Sequence, residues 1–113
     1  MNKRRLGKAQ EEMAAQFLKE NGYEIIDKNF YCRSGEIDII AKENGYLVFV
    51  EVKFRKDISC GYPQEAVTKH KIEHIINSAR YYMLVKGYAE NTLCRFDVIG
   101  ILGRDISIIK NAF

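Results

Sequence analysis

The sequence predicts an α/β domain, a mixed sheet with a helix packed on each side, in the order α-β-β-β-α-β-β. Three observations predict it. Asn44-Gly45 stands between two strand-like runs, and this dipeptide is the strongest short hairpin signal because a type I′ turn needs positive φ at both central residues. The second of those runs, Tyr46 to Phe54, is apolar on both faces, as a central strand must be. Two stretches with apolar residues at helical spacing flank the strands rather than following one another.

The first helix is expected over residues 5–20. Leu6, Met13, Ala14, Phe17 and Leu18 form one stripe, and Asn21-Gly22 ends it. Residues 23–31 read as a strand, followed by the arms Glu36 to Ala41 and Tyr46 to Phe54. A loop over 55–62 leads to the only proline, Pro63, which suits the first turn of a second helix running to about residue 86. Val67, Ile72, Ile75, Ile76, Ala79, Tyr82 and Met83 fall mostly on one face of it, and Gly87 terminates it. Residues 94–102 and 105–110 read as two closing strands around Gly103-Arg104.

A chain of 113 residues, 47% apolar and 29% charged, suits one domain spanning 1–113 with a single useful core. The net charge of +3 permits a nucleic-acid partner without demanding one. Lys3, Arg4, Arg5 and Lys8 precede the first acid, which reads as a solvated tail or a binding arm. Cys32, Cys60 and Cys94 are odd in number and lack Cys-x-x-Cys spacing, which argues against a disulfide framework and a zinc cluster. Reduced thiols and the lack of a long apolar run or apolar N-terminal signal lead us to expect a soluble cytoplasmic protein with no membrane partner.

The hairpin carries charges where apolar residues would fold better. If Asn44-Gly45 is the loop, Asp38 faces Glu51 and Glu36 faces Lys53. Residues two apart in a strand share a face, so all four are expected on one side. Two facing carboxylates repel. A proton, the nearby lysine or a divalent cation must offset that. On one reading this is an exposed sheet face with surface ion pairs, Lys53 pairing with Glu51 or Glu36. On the other it is a cation site, and oxygen ligands without histidine suit Mg²⁺ or Mn²⁺ rather than zinc. Lys53 beside such a cation suits attack of water on a phosphodiester.

Other polar residues border this hairpin. Glu12 points away from the apolar stripe of the first helix, whereas Glu11 lies at its edge, either as a plain boundary residue or as a third carboxylate. Gln64, Lys69 and Lys71 lie at the start of the second helix, where a phosphate would be favoured, or serve solubility alone. Glu36, Arg55, Gln64, Lys69 and Lys71 are thus the candidates for substrate contact. Tyr31 and Arg33 flank the hairpin and read equally as nucleic-acid contacts or ordinary edge residues. His70 and His74 have metal-ligand spacing but point away from the apolar stripe with no further ligand in view, and read as surface residues. Asp97, a charge within an apolar strand, is expected to pair with Arg95 or a lysine.

Glu11 on a first helix, Gly35-Glu36-Ile37-Asp38 and Glu51-Val52-Lys53 together resemble the PD-(D/E)xK nuclease pattern of the restriction-endonuclease-like superfamily, with Ile37 where the motif proline would stand. More closely, the chain resembles the YraN-like uncharacterised bacterial family along nearly its whole length. The resemblance rests on Gly7 to Glu11, Gly22-Tyr23, Gly35 to Ile40, Val48 to Arg55, Ala66-Val67 with Lys71, Arg95 to Ile99 and Asn111-Ala112-Phe113. It implies a restriction-endonuclease-like α/β fold, similar to archaeal Holliday-junction resolvases. It implies Mg²⁺ or Mn²⁺ held by Asp38, Glu51 and the Val52 carbonyl, with Lys53 as catalytic lysine and Glu11 as accessory acid. The expected activity is Mg²⁺-dependent hydrolysis of phosphodiester bonds in DNA, with branched or damaged DNA as candidate substrates. Nucleases of this fold often act as pairs, so a homodimer is allowed. The alternatives are a non-catalytic nucleic-acid-binding or adaptor domain on the same fold, and an interaction protein whose charges form only an ion network.

Overall fold

The computed structural model describes residues 7–63 and 67–113, apart from the side chain of Cys60. Its elements are α1 (Lys8–Glu20), β1 (Glu24–Cys32), β2 (Gly35–Glu43), β3 (Tyr46–Arg55), a 3₁₀ turn (Ile58–Cys60), α2 (Lys69–Val85), β4 (Cys94–Leu102) and β5 (Asp105–Ile109). The order is α-β-β-β-α-β-β, as the sequence predicts. The five strands form one sheet in the order β1-β2-β3-β4-β5, with β3 at its centre. β3 and β4 run parallel and the other neighbours antiparallel, so α2 is the crossover that the parallel pair requires.

Each face of the sheet buries one helix. On one, Ala14 and Leu18 of α1 pack against Ile39, Ala41, Val48, Val50, Val52, Ile99 and Ile101. On the other, Ala79 and Tyr82 of α2 pack against Ile37, Ile40, Leu47 and Phe49. The single core expected is instead two, one on each face of the sheet, and the alternation within β3 produces both: Leu47 and Phe49 point to α2, while Val48, Val50 and Val52 point to α1. α1 ends through Gly22 at φ 90°, a conformation that suits glycine.

The first helix runs from Lys8, after an extended Gly7; residues 5 and 6, together with Lys3 and Arg4, lie outside the described residues, as does Gln64. The expected start of the second helix needs correction. The second helix does not begin at Pro63. It begins at Lys69, where Thr68 caps it by accepting a hydrogen bond from the Lys71 N–H at 3.2 Å. The preceding segment already has its own cap: Asp57 accepts from the Ser59 N–H at 3.0 Å and starts the 3₁₀ turn.

The hairpin register follows the Asn44-Gly45 turn as far as Ile39, which pairs with Val50. There the ladder stops. Ile37 and Ile39 are two apart yet pack on opposite faces of the sheet, Ile39 toward α1 and Ile37 toward α2. A regular strand would put them on the same face, so β2 is bent at Asp38. β1 is irregular at the same level: Asn29, between the partners of Ile39 and Ile37, has φ 54°. Asparagine adopts this left-handed conformation more readily than most residues. Strand irregularities of this kind re-aim side chains and end pairing.

Candidate functional site

The bend decides where the four hairpin charges go. Past Ile39 the strands no longer exchange backbone hydrogen bonds, and the Val52 N–H donates to Asp38 Oδ2 at 2.8 Å instead. The N–H and C=O of one strand residue point to the same side, so the Val52 carbonyl also faces the β2 side. Glu51 follows Leu47 and Phe49 onto the α2 face. It is 4% exposed, and its Oε2 lies 3.4 Å from Lys53 Nζ and 3.5 Å from Lys71 Nζ of α2.

Glu36 takes a different direction from the one the sequence predicts. Asn29, with its amide nitrogen turned to the carboxylates, donates to Glu36 Oε2 and to Glu11 Oε2, both at 3.1 Å. The opposite amide orientation would set its oxygen against two acids. Glu36 is therefore tied to α1 through Asn29, and the expectation that Glu36, Asp38, Glu51 and Lys53 share one face is corrected by the bend at Asp38. The choice of Glu11 over Glu12 agrees with the structure: Glu12 is exposed, and Glu11 is partly buried beside Asn29.

The electrostatics of the cluster are unbalanced. Burial pushes the Asp38 carboxyl well above the ordinary range, and the negative charge of Glu51 pushes it further; the Val52 N–H pulls it down, Glu36 adds to the rise, and Lys71 opposes it. Two lysines offset the repulsion between Asp38 and Glu51 on the Glu51 side, and the Asp38 carboxyl is left raised. A divalent cation between two such carboxylates would supply the same relief.

The residues fit a hard divalent cation in part. Among the described residues, no three His, Cys, Asp or Glu side chains form a closed metal cage. Mg²⁺ does not need one, because it commonly binds through one or two carboxylates and keeps several waters. Asp38, Glu51 and the Val52 carbonyl are the oxygen donors available at the end of the ladder.

The remaining candidates divide. Lys71 contacts the cluster directly, which is closer than its reading as a substrate contact required. Lys69 is exposed on the first turn of α2. Arg55 donates from Nη1 to the Phe54 carbonyl at 3.2 Å, while its Nε is buried with no hydrogen-bond partner among the described residues. Tyr31 is 56% exposed, opposite Glu36 at the end of β1. Asn29 was missed by sequence reasoning. A lone asparagine inside a strand run was the available signal, since asparagine is depleted in strands and enriched at positive φ.

A second buried charge cluster lies at Asp97, which is fully buried. Its Oδ1 accepts from Arg95 Nε and the Asn111 N–H, each at 2.9 Å. Its Oδ2 accepts from the Tyr23 hydroxyl at 2.7 Å and from Arg95 Nη2 at 2.9 Å. Arg95 Nη2 also reaches Glu43 Oε1 at 2.8 Å, and Lys110 Nζ reaches Glu43 Oε2 at 3.1 Å. Asp97 does pair with Arg95, as expected. The network joins α1's exit, the β2–β3 turn and the C-terminal residues, and every buried charge in it is hydrogen-bonded, as burial demands.

The fold and site define a small α/β domain whose central hairpin carries an acid pair and a lysine at a strand bend. The chain belongs to the uncharacterised protein family UPF0102, which its residues 10–101 match. It is 53% identical over 113 residues to a UPF0102 protein of Lachnoclostridium phytofermentans, covering 100% of this chain and 96% of the relative. It is 48% identical over 119 residues to one from Caldicellulosiruptor saccharolyticus, covering both chains fully, and 43% identical over 107 residues to one from Persephonella marina, covering 95% and 91%. This is the YraN family that the sequence resembles, and the PD-(D/E)xK placement is consistent with it. Among the described residues no helix is long and apolar enough to cross a membrane.

Proposed function

We propose that this protein is a Mg²⁺- or Mn²⁺-dependent endonuclease acting on DNA, with branched or damaged DNA as the substrates to test first. The observation that carries the reading is the convergence at one strand bend of Asp38, Glu51 and Lys53. Asp38 and Glu51, with the Val52 carbonyl, would hold the cation. When bound, the cation neutralises phosphate charge and acidifies water. Lys53, 24% exposed beside Glu51, orients the attacking water and stabilises charge on the phosphate as it develops. Lys71 is available to the phosphate once Glu51 turns to the cation. Glu11 and Glu36, joined by Asn29, set the negative border of the site on the α1 side. Exposed Lys69 and the partly exposed Arg55 side chain suit contacts to the DNA backbone.

One observation favours a second reading, a non-catalytic nucleic-acid-binding or adaptor domain. Glu51 already has two lysine partners and Asp38 a backbone donor, so the charges are partly satisfied without a cation.

The test is incubation of a panel of junctions, flaps, nicked and intact duplexes with Mg²⁺ or Mn²⁺. The nuclease reading expects cutting of at least one structure, lost in Lys53→Ala and in Asp38→Ala. An intact panel with salt-dependent DNA binding that survives Asp38→Ala would establish the binding domain instead.

A further inference from the structure

We propose that His70 and His74 form a two-imidazole binding site for a late first-row divalent cation, Zn²⁺ in the first instance. It is separate from the carboxylate cluster and does not depend on the nuclease reading.

The two histidines are four apart on α2, and their rings meet edge to face with centroids 4.4 Å apart. Their Nε2 atoms converge to 3.0 Å. The other nitrogen of His74, Nδ1, lies 2.7 Å from the Ser34 carbonyl oxygen in the β1–β2 turn. A carbonyl can only accept, so Nδ1 carries the proton. The lone pair of the neutral His74 ring is then on Nε2, directed at His70. This is the arrangement that metal-binding histidines show: one ring nitrogen on the metal, the other N–H held by a backbone carbonyl that orients the ring.

The spacing suits a metal. Zinc–nitrogen bonds of about 2.0–2.1 Å place two imidazole nitrogens on one tetrahedral ion roughly 3.3 Å apart. The observed 3.0 Å needs only a few tenths of an ångström of opening. Without metal, a proton on His70 Nε2 bridges the gap. Metal binding moves that proton to His70 Nδ1, and the ion takes both Nε2 lone pairs. Imidazole pairs favour zinc, copper and nickel over magnesium. Among the described residues no third His, Cys, Asp or Glu completes the set. The remaining positions fall to water or an incoming ligand, which makes the site open and exchangeable rather than a closed structural one.

The location gives the ion a consequence. Both rings are on the exposed side of α2, and His74 anchors that helix to the Ser34–Gly35 turn, immediately before Glu36. An ion here would stiffen the contact between α2 and the strand that carries Asp38.

The test uses the full chain without an affinity tag. Calorimetric titration with Zn²⁺ is combined with NMR of the imidazole nitrogens. We expect one equivalent to bind with shifts at both Nε2 atoms, affinity to fall at least about tenfold in His70→Ala and in His74→Ala, and Asp38→Asn to leave it unchanged. Circular dichroism checks that each variant is folded. If His74→Ala disturbs the turn, His70→Ala decides alone. No zinc binding by the wild type, binding that survives His70→Ala, or loss of binding in Asp38→Asn would each overturn the proposal; the first leaves a hydrogen bond only, and the last moves the ion to the carboxylates.

Discussion

The Val52 N–H donates to Asp38 Oδ2 at 2.8 Å, in the place where the β2–β3 ladder would have continued. A side chain replaces a backbone acceptor, and the replacement opens the strands beside a buried glutamate. This relationship yields a pair of opposed stability predictions. Asp38→Ala leaves a part-buried N–H without its acceptor and should destabilise the protein by about 1–3 kcal/mol. Asp38→Asn keeps an acceptor and removes the repulsion with Glu51, so stability at neutral pH should be unchanged or higher. Urea unfolding of the two variants checks both signs. Equal destabilisation would show that the hydrogen bond does not hold the bend.

Asn29 makes a second point of control. Its φ of 54° and its amide both matter, since the amide separates Glu11 from Glu36. Asn29→Asp should destabilise the fold by placing a third carboxylate between two. Asn29→Gly should retain the backbone but remove the amide donor that both acids share. Thermal unfolding at low and high salt distinguishes them: the deficit of Asn29→Asp should shrink as salt screens the charges, and that of Asn29→Gly should not.

The Arg95–Asp97 network sets the acid response. Burial raises the Asp97 carboxyl, but Arg95, the Asn111 N–H and the Tyr23 hydroxyl outweigh it, so the folded value lies below the ordinary one. Its contribution to stability is therefore present above the unfolded carboxylate value of about 3.9 and is lost as pH falls through the lower folded value. Asp38 acts with the opposite sign, because its folded value is raised: it weakens the fold as pH rises from about 3.9 through that value. Asp38→Asn is thus the proper background. On it, stability should fall only at acid pH. Adding Arg95→Met should cost about 3–5 kcal/mol, because Asp97 is left as a buried charge without its cation. Urea midpoints measured between pH 3 and pH 7 test this. A flat profile in the Asp38→Asn background would contradict the assignment.

Much of this was legible in the sequence because it depends on local patterns. The Asn44-Gly45 turn gave the hairpin register, and the apolar run from Leu47 to Val52 gave the central strand. Helical phase separated Glu11 from Glu12. The bend at Asp38 was not legible. Strict alternation is the only rule available for a strand, and Ile37-Asp38-Ile39 obeys it in sequence while breaking it in space. That one departure sends Glu36 to the α1 side. α2 starts later than the sequence suggests because Pro63 is compatible with a first helical turn, whereas Thr68 supplies the actual cap. The partners of Asp97 beyond Arg95 come from distant segments, Tyr23 and Asn111, which no local pattern connects.

The direct measurement for the acid–lysine site is single-turnover cleavage, with Mg²⁺, of the DNA structure cut fastest by the wild type. Asp38→Asn and Lys53→Ala are compared with the double variant. Each single change should lower the rate by about 10²–10⁴-fold, and the double variant should be little worse than the worse single one, because the residues act as a unit. Cleavage at the wild-type rate in folded Asp38→Asn would contradict this.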